Sequence, residues 1–357
     1  MTGAADHTTN AGTTAVREAH RFDEGALSAW MLANIDGFGG PLRVEQFKGG
    51  QSNPTYRLST KAQNYVLRRK PPGVLVKGAH DVLREAHVLS ALAATSVPVA
   101  PIYGICADES VIGTPFFIMS LVEGRIFWDA TFPDVEKGER PSYFNAMNAT
   151  LAALHTVDYD AIGLGDYGRP GNYFARQIAR WSKQYLEDAD AGRDPDMDAL
   201  VEWLPGNIPA GDETSIVHGD FRCDNMIFHP TEPRILAVLD WELSTLGHPL
   251  ADFAYHAIMY RMPPDIVAGL GGMDIASLGI PSEQAYVAAY CARTGRTGMP
   301  DYTFYIAFNF FRLAAIFHGI KGRVIRGTAA SSHARERAAS FPRLARLARE
   351  AMAACPR

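Results

Sequence analysis

The stretch "VHGDFRCDNMIFHP", Val217–Pro230, places one histidine, one arginine, two aspartates and one asparagine between His218 and Asn225, with apolar Val217 and Met226 on either side. Asp220 and Asn225 are five positions apart across a loop, so both side chains reach one point if the loop turns back. The chain then runs through "MIFHP" and "ILAVLD", two apolar runs around Thr231–Arg234, which is a hairpin signature. Asp240 ends the second run. A carboxylate at a strand end, beside an asparagine at the mouth of the paired strand, suits a hard, oxygen-preferring cation such as Mg²⁺. Asp220 then remains to orient and deprotonate a hydroxyl. One base and two metal ligands are the minimum for phosphoryl transfer, provided a cradle for phosphates lies elsewhere. The alternative is a polar turn followed by a strand-terminal aspartate.

A cradle is available upstream. "KGGQSNPTY", residues 48–56, joins two β-prone runs and carries Gly49, Gly50, Ser52 and Asn53. Its glycines let backbone N–H groups approach phosphate oxygens, and Ser52 and Asn53 can add bonds. It lacks the spacing of a Walker loop. In "YVLRRKPPG" alternate residues share a face, so Arg68 lies with Val66 and Lys70 while Arg69 points away. Arg68 is the cation placed to hold phosphates, and Glu85 on the following helix can fix its rotamer.

Around these motifs the chain changes texture. Residues 1–22 read as a mobile leader without the apolar core of a signal peptide. A short helix is expected over Glu24–Ile35, then strands near 42–48, 54–60 and 64–70, a helix starting at an Asp81 N-cap, and two more strands before Gly124. Beyond that point helices dominate, over Ser142–His155, Tyr173–Glu187, Ser282–Arg293, Tyr302–Ile320 and Ala334–Ala354. The acidic stretch 187–198 is a soft insert, because Gly192 and Pro195 interrupt a helix. The expected organisation is a β-rich nucleotide-binding lobe at 23–118, a hinge at 119–124 and a helical lobe at 125–357 carrying the catalytic and metal-binding loops.

The 357 residues, 47% hydrophobic and 20% charged, supply a large core or two packed domains. A net charge of −5 argues against a nucleic-acid partner. The four cysteines, Cys106, Cys223, Cys291 and Cys355, form no C-x-x-C pair and read as reduced thiols in a cytoplasmic protein. The apolar stretch Phe304–Phe317 is too short to cross a bilayer and reads as a buried helix.

"HGDFRCDN" followed by "LDWE" resembles the catalytic and metal-binding loops of the aminoglycoside phosphotransferase/choline kinase-like family, a branch of the protein-kinase fold. The resemblance implies an α+β, bilobal protein-kinase-like fold, with a small antiparallel β-sheet lobe and a larger, mainly helical lobe. It implies ATP and Mg²⁺ as cofactors, Asp220 as catalytic base, and Asn225 and Asp240 as metal ligands. Ser52 and Asn53 fall in its phosphate loop, Glu85 matches its helix glutamate, and the backbone of Ser120–Val122 falls on the hinge that receives adenine. His218 braces the loop, and Asp252 ties it to the helical lobe. The family's usual lysine is Arg68 here, and the two side chains are not interchangeable.

"RQIARWSKQY", "DWELSTLGHPLADFAY" and "FRLAAIFHGIKGRVIRGTAAS" are further similar to the phosphotransferase domain associated with acyl-CoA dehydrogenases. That likeness implies a hydroxylated acid or hydroxyacyl-CoA as acceptor and an acyl-CoA dehydrogenase pathway partner. Tyr173, Phe174, Ile178, Trp181 and Tyr185 form an apolar stripe that reads either as core or as acceptor contact. Arg176, Arg180, Arg222 and His248 are candidate contacts for an anionic acceptor. Three other readings stand beside this one. An aminoglycoside or amino-alcohol kinase fits the family. A catalytically weak, nucleotide-binding scaffold fits the arginine. A protein kinase fits least, because only six residues separate Asp240 from Gly247, too few for a peptide-docking segment.

Overall fold

The structure is a computed structural model that describes residues 12–48, 53–73, 81–267, 269–329 and 333–355. Its elements are, in order, β1 (Thr13–Thr14), α1 (Glu24–Asn34), β2 (Arg43–Phe47), β3 (Thr55–Ser59), β4 (Asn64–Arg69), α2 (Val82–Leu92), β5 (Ile102–Cys106) and β6 (Phe116–Ser120). Then come α3 (Arg140–His155), α4 (Tyr173–Glu187), α5 (Pro195–Trp203), β7 (Ser215–Val217), β8 (Met226–Phe228), β9 (Ile235–Val238) and β10 (Thr245–Gly247). The chain closes with α6 (Pro249–Ala257), α7 (Glu283–Arg293), α8 (Tyr302–Ile325) and α9 (Ala334–Ala353).

Two compact units form. The first comprises Met1–Trp128, Asp160–Leu164 and Asn225–Ser244; the second comprises Asp129–Tyr159, Gly165–Asp224 and Thr245–Arg357. The β8–β9 hairpin therefore groups with the β-rich unit, although sequence order places it inside the helical part.

In the first unit six strands make a sheet of order β1-β2-β3-β4-β6-β5. The period-2 alternation has a visible consequence. Tyr56, Leu58, Tyr65 and Leu67 turn one face toward Leu27 and Met31 of α1 in a single buried cluster. β4 is central and buried from Tyr65 onward, so Arg68 and Arg69 are both inside, at 8% and 3% exposure. They leave the strand on opposite faces. The Arg69 guanidinium lies over the Phe22 ring at 5.3 Å, while Arg68 meets Glu85 of α2. Asp81 caps α2 by accepting from Arg84 N at 3.1 Å, as the sequence predicts. Gly124 is fixed by close approach: a Cβ there would sit 2.2 Å from the Phe228 carbonyl oxygen.

Residues 12–22 do not form the mobile leader expected of them. Thr13 and Thr14 pair with Phe47 and Gln46, Arg17 N donates to Gln46 Oε1, and Phe22 packs edge-on against Tyr56. The polar composition of this stretch hid a strand that needs only backbone groups to join a sheet edge.

The second unit is built around α8. The helix runs to Ile325, beyond the expected Ile320, and its 24 residues are long and apolar enough to cross a membrane by length and composition. Of its most apolar window, 72% is buried inside the protein, as befits a core helix. The soft insert is also partly corrected. Gly192 does break the chain, but Pro195 opens α5 at its first turn, with Asp194 Oδ1 accepting from Asp196 N and Met197 N. A proline at that position costs no helical hydrogen bond.

Candidate functional site

In the first unit the chemistry gathers on Arg68. Its Nε donates to Glu85 Oε2 and its Nη2 to Asp240 Oδ1, each at 2.7 Å, and Glu242 Oε2 lies 4.0 Å from Nη2. Three carboxylates thus face one guanidinium. Burial works against the charge on Arg68, but Glu85, Asp240 and Glu242 outweigh it and raise the pKa above the ordinary arginine value. Burial pushes the Glu85 carboxyl up to about 7, with Arg68 opposing the rise. Asp240 precedes the 3-10 turn Trp241–Leu243 at φ 63°, a left-handed conformation that aspartate tolerates better than most residues, and its side chain makes no capping bond to that turn.

Asn225 stands at the start of β8, and its carbonyl accepts from Leu239 N at 2.8 Å, which pins the Asn225 backbone beside the residue preceding Asp240. Asn53 is fully buried. Its Nδ2 lies 3.4 Å from Glu242 Oε2, and its Oδ1 has no partner among the described residues. Gly49, Gly50 and Ser52 lie outside the described residues. Ser120 ends β6 with its N–H donating to Pro101 O, and Ser120–Val122 are half-buried.

In the second unit the loop that follows β7 hangs on Asp252. Its carboxylate accepts from His218 N at 2.7 Å and from Gly219 N at 2.8 Å, and it meets His155 Nε2 at 3.2 Å. Burial would raise the Asp252 pKa; His155 and His218 overcome it and hold the group below the usual carboxylate range. Gly219 sits at φ 85°, so the turn needs glycine there. His218 is wholly buried, and its Nδ1 accepts from Asp220 N at 3.2 Å, which makes it a brace for the loop. The Asp220 carboxylate in turn accepts a short hydrogen bond from Tyr255 Oη. Arg312 lies over the Tyr255 ring at 5.3 Å and donates to Gly219 O at 3.1 Å.

Three of the proposed acceptor contacts are corrected here. Trp181 and Tyr185 are buried at 9% and 0% exposure, on the side of α4 that packs against α8. The Tyr185 hydroxyl donates to Asp198 Oδ1 at 2.6 Å and its ring packs on His318. The whole stripe is core, because a helix so strongly two-faced buries its apolar side. His248 is buried as well. Its Nδ1 caps α6 by accepting from Leu250 N at 3.2 Å, and burial lowers its pKa to about 4. Of the arginines, Arg176 is tied to the carbonyls of Gly171 and Arg169, and Arg180 lies over the Trp181 ring. Arg222 pairs with Asp224 through Nε and Nη2 and lines a cavity with Tyr255.

Sequence reading missed Tyr255, Arg312 and Glu242. The first was open to detection, since Tyr255 is three residues beyond Asp252 and so on the same helix face. Arg312 gave no signal, being a lone cation in an apolar run.

The sequence profile of the phosphotransferase enzyme family matches residues 43–305. The chain belongs to that family. A Ralstonia eutropha JMP134 crystal structure described as a "putative aminoglycoside phosphotransferase" is 51% identical, with a TM-score of 0.87 over 94% of this chain and 100% of that one. The ternary complex of aminoglycoside phosphotransferase APH(4)-Ia with AMP-PNP and hygromycin B is 15% identical, with a TM-score of 0.59 over 92% of this chain and 99% of that one, and shows a shared fold. Acyl-CoA dehydrogenase family member 11 of Gallus gallus is 44% identical over 335 residues, which is 91% of this chain and 43% of that protein. The chain thus spans less than half the length of that relative. The α+β, kinase-like fold expected from the sequence is the observed one, and family membership makes a small-molecule phosphotransferase of the chain.

Proposed function

We propose that the chain transfers the γ-phosphate of ATP, in the presence of Mg²⁺, to a hydroxyl of a hydroxylated acid or hydroxyacyl-CoA. The observation that carries this reading is the surplus of carboxylate around Arg68. Among the described residues, the carboxylates of Glu85, Asp240 and Glu242 face the one guanidinium of Arg68, so the cluster favours a further cation.

The available donors fit magnesium. Asp240 and Asn225 supply hard oxygen, and the Asp240 side chain keeps 37% of its surface exposed. A bound Mg²⁺ would neutralise charge on the transferring phosphoryl group. Arg68, locked by Glu85, holds phosphate oxygens together with Asn53 and the Gly49–Ser52 loop, and the Ser120–Val122 backbone receives adenine. Asp220, held by Tyr255, takes the proton of the acceptor hydroxyl.

The AMP-PNP bound to the APH(4)-Ia relative supports nucleotide use. The acyl-CoA dehydrogenase name of the Gallus relative supports an acyl-type acceptor and a pathway link to such a dehydrogenase. Four free thiols support a reducing, cytoplasmic setting. The phosphotransferase relatives give the scaffold alternative no support.

The test is a phosphorylation assay with ATP and Mg²⁺ over hydroxy acids, hydroxyacyl-CoAs, amino alcohols and aminoglycosides. Transfer to the first two classes is expected. Asp220→Asn should slow it roughly 10²- to 10⁴-fold with nucleotide binding retained. Turnover of aminoglycosides or amino alcohols alone would overturn the acceptor class.

A further inference from the structure

A mostly apolar cavity, partly open to solvent, lies in the second unit with Tyr255 in its lining. Its wall comes from the end of α6, the segment after it and α8: Ile258, Met259, Met262, Val267 and Leu313. Met262 is 2% exposed, and the chain folds back so tightly that a Cβ on Gly269 would lie 1.9 Å from its carbonyl oxygen. The wall is therefore closely packed at Met262, while the methionine side chains remain adaptable. None of these five side chains carries a formal charge. The polar groups of the lining are Tyr255, His256, Cys223 and the Arg222–Asp224 pair.

Two features tie the cavity to the reacting hydroxyl. Tyr255 lines it and donates to the Asp220 carboxylate. Arg222 lines it too; Asp224 engages Nε and Nη2, leaving Nη1 outside the pair. Burial disfavours the charge on Arg222, but Asp224 overcomes it and keeps the pKa well above the ordinary value. The Nη1 donor, beside an apolar cavity, suits the carboxylate of an acceptor that also carries a hydrocarbon portion.

We propose that this cavity is the subsite for an unbranched alkyl segment of the acceptor. Arg222 Nη1 receives the acceptor's carboxylate, and Met259 and Met262 set how long a chain fits. The inference rests on the kinase reading only for the role of Asp220. The cavity itself is a binding claim.

Isothermal titration of the full chain, with ADP and Mg²⁺ present, can use straight-chain hydroxy acids of fixed hydroxyl position and increasing tail length. Affinity should rise roughly three- to four-fold per added methylene while the cavity fills, then stop rising. Met259, half-buried at the wall, is the position to alter with least cost to folding. Met259→Trp should abolish the gain with length, and Met259→Ala should move its end point to longer chains. Arg222→Met should weaken every carboxylate in the series and leave the corresponding neutral diols unchanged. ADP affinity, unchanged in all three variants, shows that they are folded. Affinity that ignores tail length, or a length dependence that survives Met259→Trp, overturns the subsite. Hydroxy acids that bind with this length dependence and are not phosphorylated by ATP uphold the subsite and overturn the acceptor reading. Phosphorylation without any length dependence does the reverse.

Discussion

The two units each bury a charged cluster, and the clusters differ in what they leave unbalanced. In the second unit Asp252 is closed on itself. Two backbone N–H groups and one imidazole meet its carboxylate, and it is 3% exposed. In the first unit Arg68 meets three carboxylates, two of them at 2.7 Å, and Asp240 remains partly open. The first arrangement is met by three donors and fixes the shape of a loop. The second keeps excess negative charge beside solvent, which is the condition for capturing a cation. Buried charge alone therefore does not mark a functional position. In the proposed reading the imbalance does.

Arg68→Met breaks the comparison most directly. It removes the guanidinium that the buried Glu85 meets and should cost about 4 kcal/mol in chemical denaturation. Mg²⁺ alone should restore part of that loss, because the remaining carboxylates then gain a counter-ion by binding to the folded state. If Mg²⁺ recovers nothing, the cluster is a structural ion pair and the metal proposal for Asp240 falls with it. Asp252→Ala should cost about 3 kcal/mol, since it leaves the His218 and Gly219 N–H groups buried without acceptors. Here Mg²⁺ alone should rescue no more than it stabilises the wild type. Rescue specific to this variant would mean that the clusters do not differ as described.

The sequence displayed the imbalance unevenly. β2, β3 and β4 were legible from alternation and turn residues, α4 from its stripe, and the α2 cap from Asp81, because those signals are local. The pairing of Arg68 with Glu85 was legible for the same reason: strand parity and one helical turn place both. The fates of Trp181, Tyr185 and His248 were not. A stripe reports that one side of a helix is buried, never whether the covering partner is α8 or a ligand. No helix was expected at "GHPLAD", yet it begins α6 with a histidine cap and Pro249 at its first turn. The three-residue strands β7 and β10 pair with each other, Val217 opposite Thr245, across a span that no local window covers. The lining of the cavity was equally hidden, since its side chains come from four separate stretches of the chain, at 130, 222–224, 255–267 and 313.

His248 offers the finest discrimination between a buried group that binds and one that only holds the fold. It is 4% exposed, its Nδ1 caps α6, and burial lowers its pKa from 6.5 to about 4. Protonation then favours the unfolded chain, where the ordinary value returns. The contribution is complete above about pH 6.5 and is lost as the pH falls through about 4. About 3 kcal/mol of acid sensitivity follows from a shift of that size. His248→Asn keeps a side chain able to cap the helix while removing the titration. Denaturant midpoints measured from neutral pH down to about pH 4 should therefore fall less steeply in the variant than in the wild type, with phosphoryl transfer at neutral pH retained. An acceptor-binding histidine would show the opposite pattern: a raised KM for the acceptor at neutral pH, and an unchanged slope of stability with acid.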